Sequence, residues 1–144
     1  MDKKYEALKL DNQLCFPLYA AAREVVNNYH PYLSKLDITY TQYIALMVMW
    51  EREKISAKEL GEKLHLDSGT LTPLLKSLEK KGYVTRRRSE EDERFLIVEL
   101  TDEGRNLKDE AADIPMKVSG CIKLDPKDAA DLYRILYEIL NQSK

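Results

Sequence analysis

The sequence predicts a mainly α chain with one small β hairpin, on three observations. Apolar residues recur at three- and four-residue spacing through most of the length. Two short helical runs with capping signals lie close together near the middle, and directly after them two β-branched and aromatic runs flank a charged tip. With 144 residues, 44% of them apolar and 33% charged, the chain has the size of one compact unit and the composition of a folded protein rather than a disordered one.

The first helix is expected from about Asp11 to Tyr29, with Leu14, Leu18, Ala21, Ala22 and Val25 along one side and His30-Pro31 ending it. Cys15 lies at its start. Thr39-x-x-Gln42 is a capping box opening a second helix, and Tyr43 to Trp50 is apolar on every side, so this helix is expected to be buried throughout. Ser56-x-x-Glu59 is another capping box, opening a short helix through Ala57, Leu60 and Leu64. The chain turns around Leu66-Asp67-Ser68-Gly69 into a helix whose Leu71, Leu74, Leu75 and Leu78 form one stripe, with Gly82 as its C-terminal cap. Two short helices joined this closely make a helix-turn-helix.

Tyr83-Val84-Thr85-Arg86 and Phe95-Leu96-Ile97-Val98-Glu99-Leu100 read as two strands around the tip Ser89 to Arg94, a hairpin in the position of a wing. A long helix with an acidic first turn starts at Thr101-Asp102-Glu103, and Pro115 kinks or interrupts it. Asp125-Pro126 supplies an N-cap and a first-position proline for the last helix, whose apolar face is Ala129, Leu132, Tyr133, Leu136, Ile139 and Leu140. The expected fold is therefore a winged helix-turn-helix over residues 39–100, bracketed by helical segments 1–38 and 101–144. Those terminal helices have little core of their own, so their apolar stripes call for burial in a homodimer.

The net charge of −2 and pI near 5.8 do not announce a nucleic-acid binder, so the distribution of charge decides. On a helical wheel, Gly69, Thr72, Pro73, Lys76 and Lys80 fall opposite the leucines. A lysine-bearing helix face alone is ordinarily just solvated. Here a hairpin carrying Arg86, Arg87, Arg88 and Arg94 follows directly, and the composite points to double-stranded DNA as partner. Small and hydroxylated residues let the helix approach base edges, and a wing arginine enters the minor groove or clamps phosphates. Asp92 is placed to hold the Arg94 guanidinium, while Glu90, Glu91 and Glu93 oppose DNA unless they point away.

No apolar run reaches the roughly 20 residues that span a bilayer, and Met1-Asp2-Lys3-Lys4-Tyr5 leads into no signal-peptide core, so a cytoplasmic protein with no membrane partner is expected. In that reducing compartment Cys15 and Cys121 are read as free thiols. A cysteine at a helix start is by default packed filler, but Pro17 in the first turn would put Cys15 at the positive end of the helix dipole, which favours a thiolate. His30 and His65 lack partners at ligand spacing and are expected to face solvent, so neither metal nor cofactor is expected.

The stretch Leu66-Asp67-Ser68-Gly69-Thr70-Leu71-Thr72-Pro73-Leu74-Leu75-Lys76, followed by Arg88-Ser89-Glu90-Glu91-Asp92-Glu93-Arg94, resembles the MarR family of dimeric winged-helix regulators over nearly the whole chain. The run Leu10-Asp11-Asn12-Gln13-Leu14-Cys15-Phe16-Pro17-Leu18-Tyr19-Ala20 resembles the branch of that family that responds to organic hydroperoxides, with Pro17 standing where leucine is expected. The resemblance implies that Cys15 is the peroxide-reactive thiol, surrounded by Tyr19, Tyr29 and Tyr40, some of them from the partner subunit. It further implies that Ser68, Thr70, Thr72 and Lys76 serve the recognition helix, with Asp92 and Arg94 in the wing. In some members of the branch a cysteine in the C-terminal region closes an intersubunit disulfide, a role that Cys121 matches. The expected function is a repressor that binds operator DNA when reduced and is released by peroxide or another oxidant.

Two rivals stand beside it. A thiol peroxidase would use Cys15 as nucleophile and Cys121 to resolve it, without any accompanying peroxidase motif. A regulator of the same fold would bind a small phenolic or apolar ligand near Tyr19, Tyr29 and Trp50, with Cys15 incidental.

Overall fold

The computed structural model describes residues 3–142. Two short 3-10 turns, Lys3–Leu8 and Leu10–Asn12, precede helix α1, Cys15–Leu33. Pro31 does not end α1, as the sequence suggested. Proline removes one intrahelical hydrogen bond, but the last turn is anchored elsewhere: Leu33 is buried in the core and its carbonyl accepts from the Ile38 amide.

Helix α2, Tyr40–Arg52, opens with the capping box in full: Gln42 N–H donates to Thr39 Oγ1 and Thr39 N–H donates to Gln42 Oε1. The expectation that α2 is buried throughout fails at Met47, which is 45% exposed. After α2 the chain makes a strand that the hydrophobic pattern did not announce, β1, Lys54–Ser56. Three residues are too few to show a period, but Ile55 is driven into the core and the segment pairs with Ile97 to Glu99.

Helix α3, Ala57–Leu64, is capped by Ser56, whose hydroxyl accepts from the Glu59 amide. The second half of the expected capping box is missing because the Glu59 carboxylate goes to Arg52, 3.0 Å away. His65, in the left-handed region at φ 56, turns the chain, and Asp67 caps helix α4, Ser68–Lys80, by accepting from the Thr70 amide at 2.8 Å. That bond holds the Asp67 carboxyl below the usual carboxylate range. Leu71, Leu74, Leu75 and Leu78 are buried as one stripe, and Gly82, at φ 86, receives the chain beyond α4.

Strands β2, Val84–Arg88, and β3, Leu96–Leu100, pair antiparallel, so the first wing strand runs two residues further than its apolar part. Arg87 and Arg88 extend it because Ile97 and Leu96 offer ladder partners opposite. Among the described residues the sheet has the order β1-β3-β2. Helix α5, Asp102–Ala111, capped by Thr101, stops at Ala112 and gives way to the short α6, Ile114–Val118, with Pro115 in its first turn, as the proline predicted. Helix α7, Pro126–Gln142, starts with Asp125 accepting from the Asp128 amide.

One core joins Leu33, Leu46, Met49, Leu60, Leu75, Leu78, Val84, Val98 and Leu107. By contrast α7 buries none of its residues, and Phe16, Leu18 and Tyr19 of α1 and Leu132, Ile135 and Ile139 of α7 are exposed. No helix among the described residues is long and apolar enough to cross a membrane.

Candidate nucleic-acid interface and sensing thiol

The leucine stripe of α4 decides which face is left over. With Leu71, Leu74, Leu75 and Leu78 inside, Ser68, Gly69, Thr70, Thr72, Pro73, Lys76 and Lys80 are all exposed. The side chains singled out in the sequence for groove contact therefore share one free surface. Its N-terminal turn, Ser68-Gly69-Thr70, is built of small residues, which favours close approach to base edges.

The wing sits beside this surface. Asp92 holds Arg94 by four bonds: its carboxylate accepts from Arg94 Nε at 3.0 and 3.2 Å, from Nη2 at 2.7 Å and from the Arg94 amide at 3.0 Å. These bonds lower the Asp92 pKa and raise that of Arg94. The Arg94 side chain is 86% exposed, so the pairing leaves it facing outward rather than burying it. Arg88 is also exposed. A groove of about 660 Å³ separates helix from wing, with Ser68 and Thr72 on one wall and Arg88 and Arg94 on the other.

Arg86 behaves differently from its neighbours. Glu79 accepts from its amide at 3.1 Å and from its guanidinium at 3.1 and 3.3 Å, which also keeps the Glu79 carboxyl below its ordinary pKa. This arginine ties the base of the wing to the last turn of α4, and its charge is already answered. Glu79 is a residue that the sequence reading passed over; its only signal is a carboxylate seven positions before an arginine across a glycine turn. Arg87 faces Glu99 at 3.9 Å.

Cys15 is the first residue of α1 and is exposed, with Pro17 in the first turn as expected. Tyr19 lies one helical turn further, 61% exposed, with the Arg23 guanidinium 5.3 Å from its ring centre. Tyr29 and Tyr40 are elsewhere. Their rings pack 5.0 Å apart, and Tyr43 joins them at 5.8 and 6.2 Å. Fourteen residues of helix separate Cys15 from Tyr29, about 21 Å at 1.5 Å per residue. Within one chain, then, Tyr19 shares the Cys15 end of the helix and the other two tyrosines do not. Burial, and then the neighbouring Tyr29, push the Tyr40 hydroxyl above its ordinary pKa, so it stays protonated and able to donate. Cys121 is exposed in the turn after α6, its amide donating to the Val118 carbonyl. His30 and His65 are exposed, and no group of three or more possible metal ligands occurs among the described residues.

Residues 27–111, more than half of the chain, match the model of the family described as transcriptional regulator SarA/Rot. The chain belongs to this family. The regulator is 50% identical over 140 residues to the organic hydroperoxide resistance transcriptional regulator of Bacillus subtilis strain 168, covering 97% of this chain and 95% of the relative. It is 44% identical over 134 residues to the HTH-type transcriptional regulator SarZ of Staphylococcus aureus strain USA300, covering 93% and 90%. Among solved structures, reduced AbfR bound to DNA matches this regulator with a TM-score of 0.79 at 35% identity over 98% of each chain. Disulfide-formed AbfR matches with a TM-score of 0.65 at 37% identity over 95% and 96%. Wild-type MarR of E. coli in its apo form matches with a TM-score of 0.64 at 26% identity over 89% and 97%. The regulator thus has the winged-helix, MarR-type fold that its motifs implied.

Proposed function

We infer that this chain is a cytoplasmic, hydroperoxide-responsive repressor that binds operator DNA as a reduced homodimer and leaves it when Cys15 is oxidised. The observation that carries the reading is an exposed thiol at the first position of α1 in a chain that also presents an exposed, small and polar recognition face. A relative named for organic hydroperoxide resistance, 50% identical, supports it. The exposed apolar residues of α1 and α7 support the homodimer, which would cover them.

In this reading Ser68, Gly69, Thr70, Thr72, Pro73 and Lys76 face the major groove, Arg94 and Arg88 reach the DNA from the wing, and Asp92 orients Arg94. Arg86 contributes through Glu79, by fixing the wing rather than by touching DNA. The Cys15 thiolate attacks the outer oxygen of the hydroperoxide, giving a sulfenic acid and releasing the alcohol. The Cys121 thiol of the partner subunit then displaces the hydroxyl, forming a disulfide and releasing water. Tyr19, with Tyr29 and Tyr40 of the partner subunit, donates hydrogen bonds to the thiolate. The resulting shift of the terminal helices changes the spacing of the two reading heads. The oxidation is stoichiometric, so the protein is a sensor and not an enzyme, and it needs no metal or cofactor.

The test is fluorescence anisotropy of a labelled operator complex titrated with cumene hydroperoxide. Release at about one equivalent per subunit, reversed by dithiothreitol, is expected; continuous consumption of hydroperoxide with a thiol reductant would make it a peroxidase. An apolar groove of about 390 Å³ lined by Tyr43, Met47, Trp50 and Pro115 keeps the ligand-responsive reading in play. Release by a phenolic acid without oxidant, retained in Cys15→Ser, would establish that reading instead.

A further inference from the structure

Among the described residues, the buried polar side chain of the core belongs to Gln42, 6% exposed. Its place in the capping box needs only Oε1 to accept from the Thr39 amide, at 3.0 Å. The side chain does more. Oε1 also accepts from Lys81 Nζ at 3.1 Å, and Nε2 donates to Ser77 Oγ at 2.8 Å. The Ser77 hydroxyl in turn donates to the Leu74 carbonyl at 2.9 Å, and Lys81 Nζ donates to the Asp37 carbonyl. Ser77 lies in the last turns of α4 and Lys81 is its C-terminal cap. One amide thus connects the start of α2 to two points on the recognition helix.

The remaining contact of α4 with the core is a leucine seam, and apolar packing is non-directional. A rotation of about 20° about the helix axis would move surface atoms by roughly 2 Å at the 5–6 Å radius of a helix with its side chains. That displacement is enough to break hydrogen bonds to base edges, whose donor–acceptor distances span only about 0.5 Å. Directional bonds from a rigid helix end remove this freedom, and a buried polar residue that fixes register is a known use of buried polarity.

We propose that Gln42 is a positioning residue for DNA reading: through Ser77 and Lys81 it sets the rotation of α4, and with it the aim of Thr72 and Lys76. The proposal rests on the reading of α4 as the recognition helix. It predicts a loss of discrimination rather than of general DNA affinity, because phosphate contacts tolerate small shifts that base contacts do not.

The experiment compares the reduced full-length protein with Ser77→Ala and Gln42→Glu. Ser77→Ala removes the acceptor of Nε2 and leaves the cap intact; Gln42→Glu keeps the cap acceptor and the Lys81 partner but loses the Nε2 donor. Anisotropy is measured on a duplex selected by the wild-type protein from a random-sequence pool and on a random duplex of equal length, with folding checked by circular dichroism. Operator affinity should fall about tenfold in both variants while random-duplex affinity stays within about twofold. If Gln42→Glu does not fold, Ser77→Ala decides alone. A folded Ser77→Ala with an unchanged ratio of the two affinities overturns the proposal. A wild-type protein that selects no duplex at all would instead overturn the DNA-binding reading beneath it.

Discussion

Gly104 lies in the first turn of α5, where alanine would ordinarily add up to about 1 kcal/mol of helix stability. The surroundings reverse that sign. A Cβ at this position would stand 2.2 Å from the Tyr83 carbonyl oxygen and 2.7 Å from Leu100 Cδ1. The first of these is backbone, so no rotamer relieves it and the start of α5 must move by about 1 Å or more. That start is itself tied down: Thr101 Oγ1 donates to the Gly82 carbonyl at 2.6 Å and accepts from the Gly104 amide at 3.0 Å, and Trp50 Nε1 donates to the Gly104 carbonyl at 2.8 Å. Overpacking costs about 1–3 kcal/mol and a lost cap about 1, so Gly104→Ala should destabilise by about 1–3 kcal/mol net of the propensity gain. For a chain of this length that lowers Tm by about 3–10 °C, read by thermal circular dichroism at matched subunit concentration. The single tryptophan, Trp50, reports the same event, because loss of its hydrogen bond changes its emission. A Tm within about 2 °C of wild type, with unaltered emission, would refute the reasoning, since no smaller displacement accommodates a 2.2 Å contact.

Three further outcomes follow from the wing. Arg94→Ala should weaken operator binding about tenfold and reduce the slope of log affinity against log salt by about 1, with no change in Tm, measured by anisotropy across a salt series. Glu79→Gln should leave the salt slope nearly unchanged but speed amide exchange at Arg86, because it removes the carboxylate that accepts from both the amide and the guanidinium; unchanged exchange would mean that the ion pair does not hold the strand. The Asp92 pKa is lowered by its bonds to Arg94, so the pair is fully formed above the ordinary carboxylate range and loosens only as pH falls through the lowered value. The affinity difference between wild type and Asp92→Asn should therefore be constant between about pH 6 and 8, and a difference that grows across that window would contradict the assignment.

Much of this structure was legible in the sequence, and the failures have definite causes. The leucine stripe of α4 and its Asp67 cap are local, so the exposure of Gly69, Thr72, Pro73, Lys76 and Lys80 followed from helical period, while Ser68 and Thr70 were named through the family resemblance. Asp92 and Arg94 are two residues apart, and their pairing was equally local. Pro31 misled because a preference of the residue before proline was overridden by the burial of Leu33, a tertiary effect. Strand β1 escaped because its reason for existing is β3, more than forty residues away. Glu59 was assigned to a cap that it abandons for Arg52, a partner on another helix. Arg86 was grouped with the DNA-facing arginines because charge alone cannot show that Glu79 already answers it. The tyrosines were read as one set around Cys15, some of them from the partner subunit; within one chain Tyr29 and Tyr40 pack with Tyr43, a long-range contact that no spacing in the sequence records.

The most direct test of the account is operator binding by wild type, Cys15→Ser and Cys121→Ser, each measured reduced, after one equivalent of cumene hydroperoxide, and after dithiothreitol. Oxidised wild type should leave the operator as a disulfide-linked dimer and return with reductant, Cys15→Ser should stay bound throughout, and Cys121→Ser should form no linked dimer. Cys15→Ser that is released by hydroperoxide as readily as wild type would contradict it.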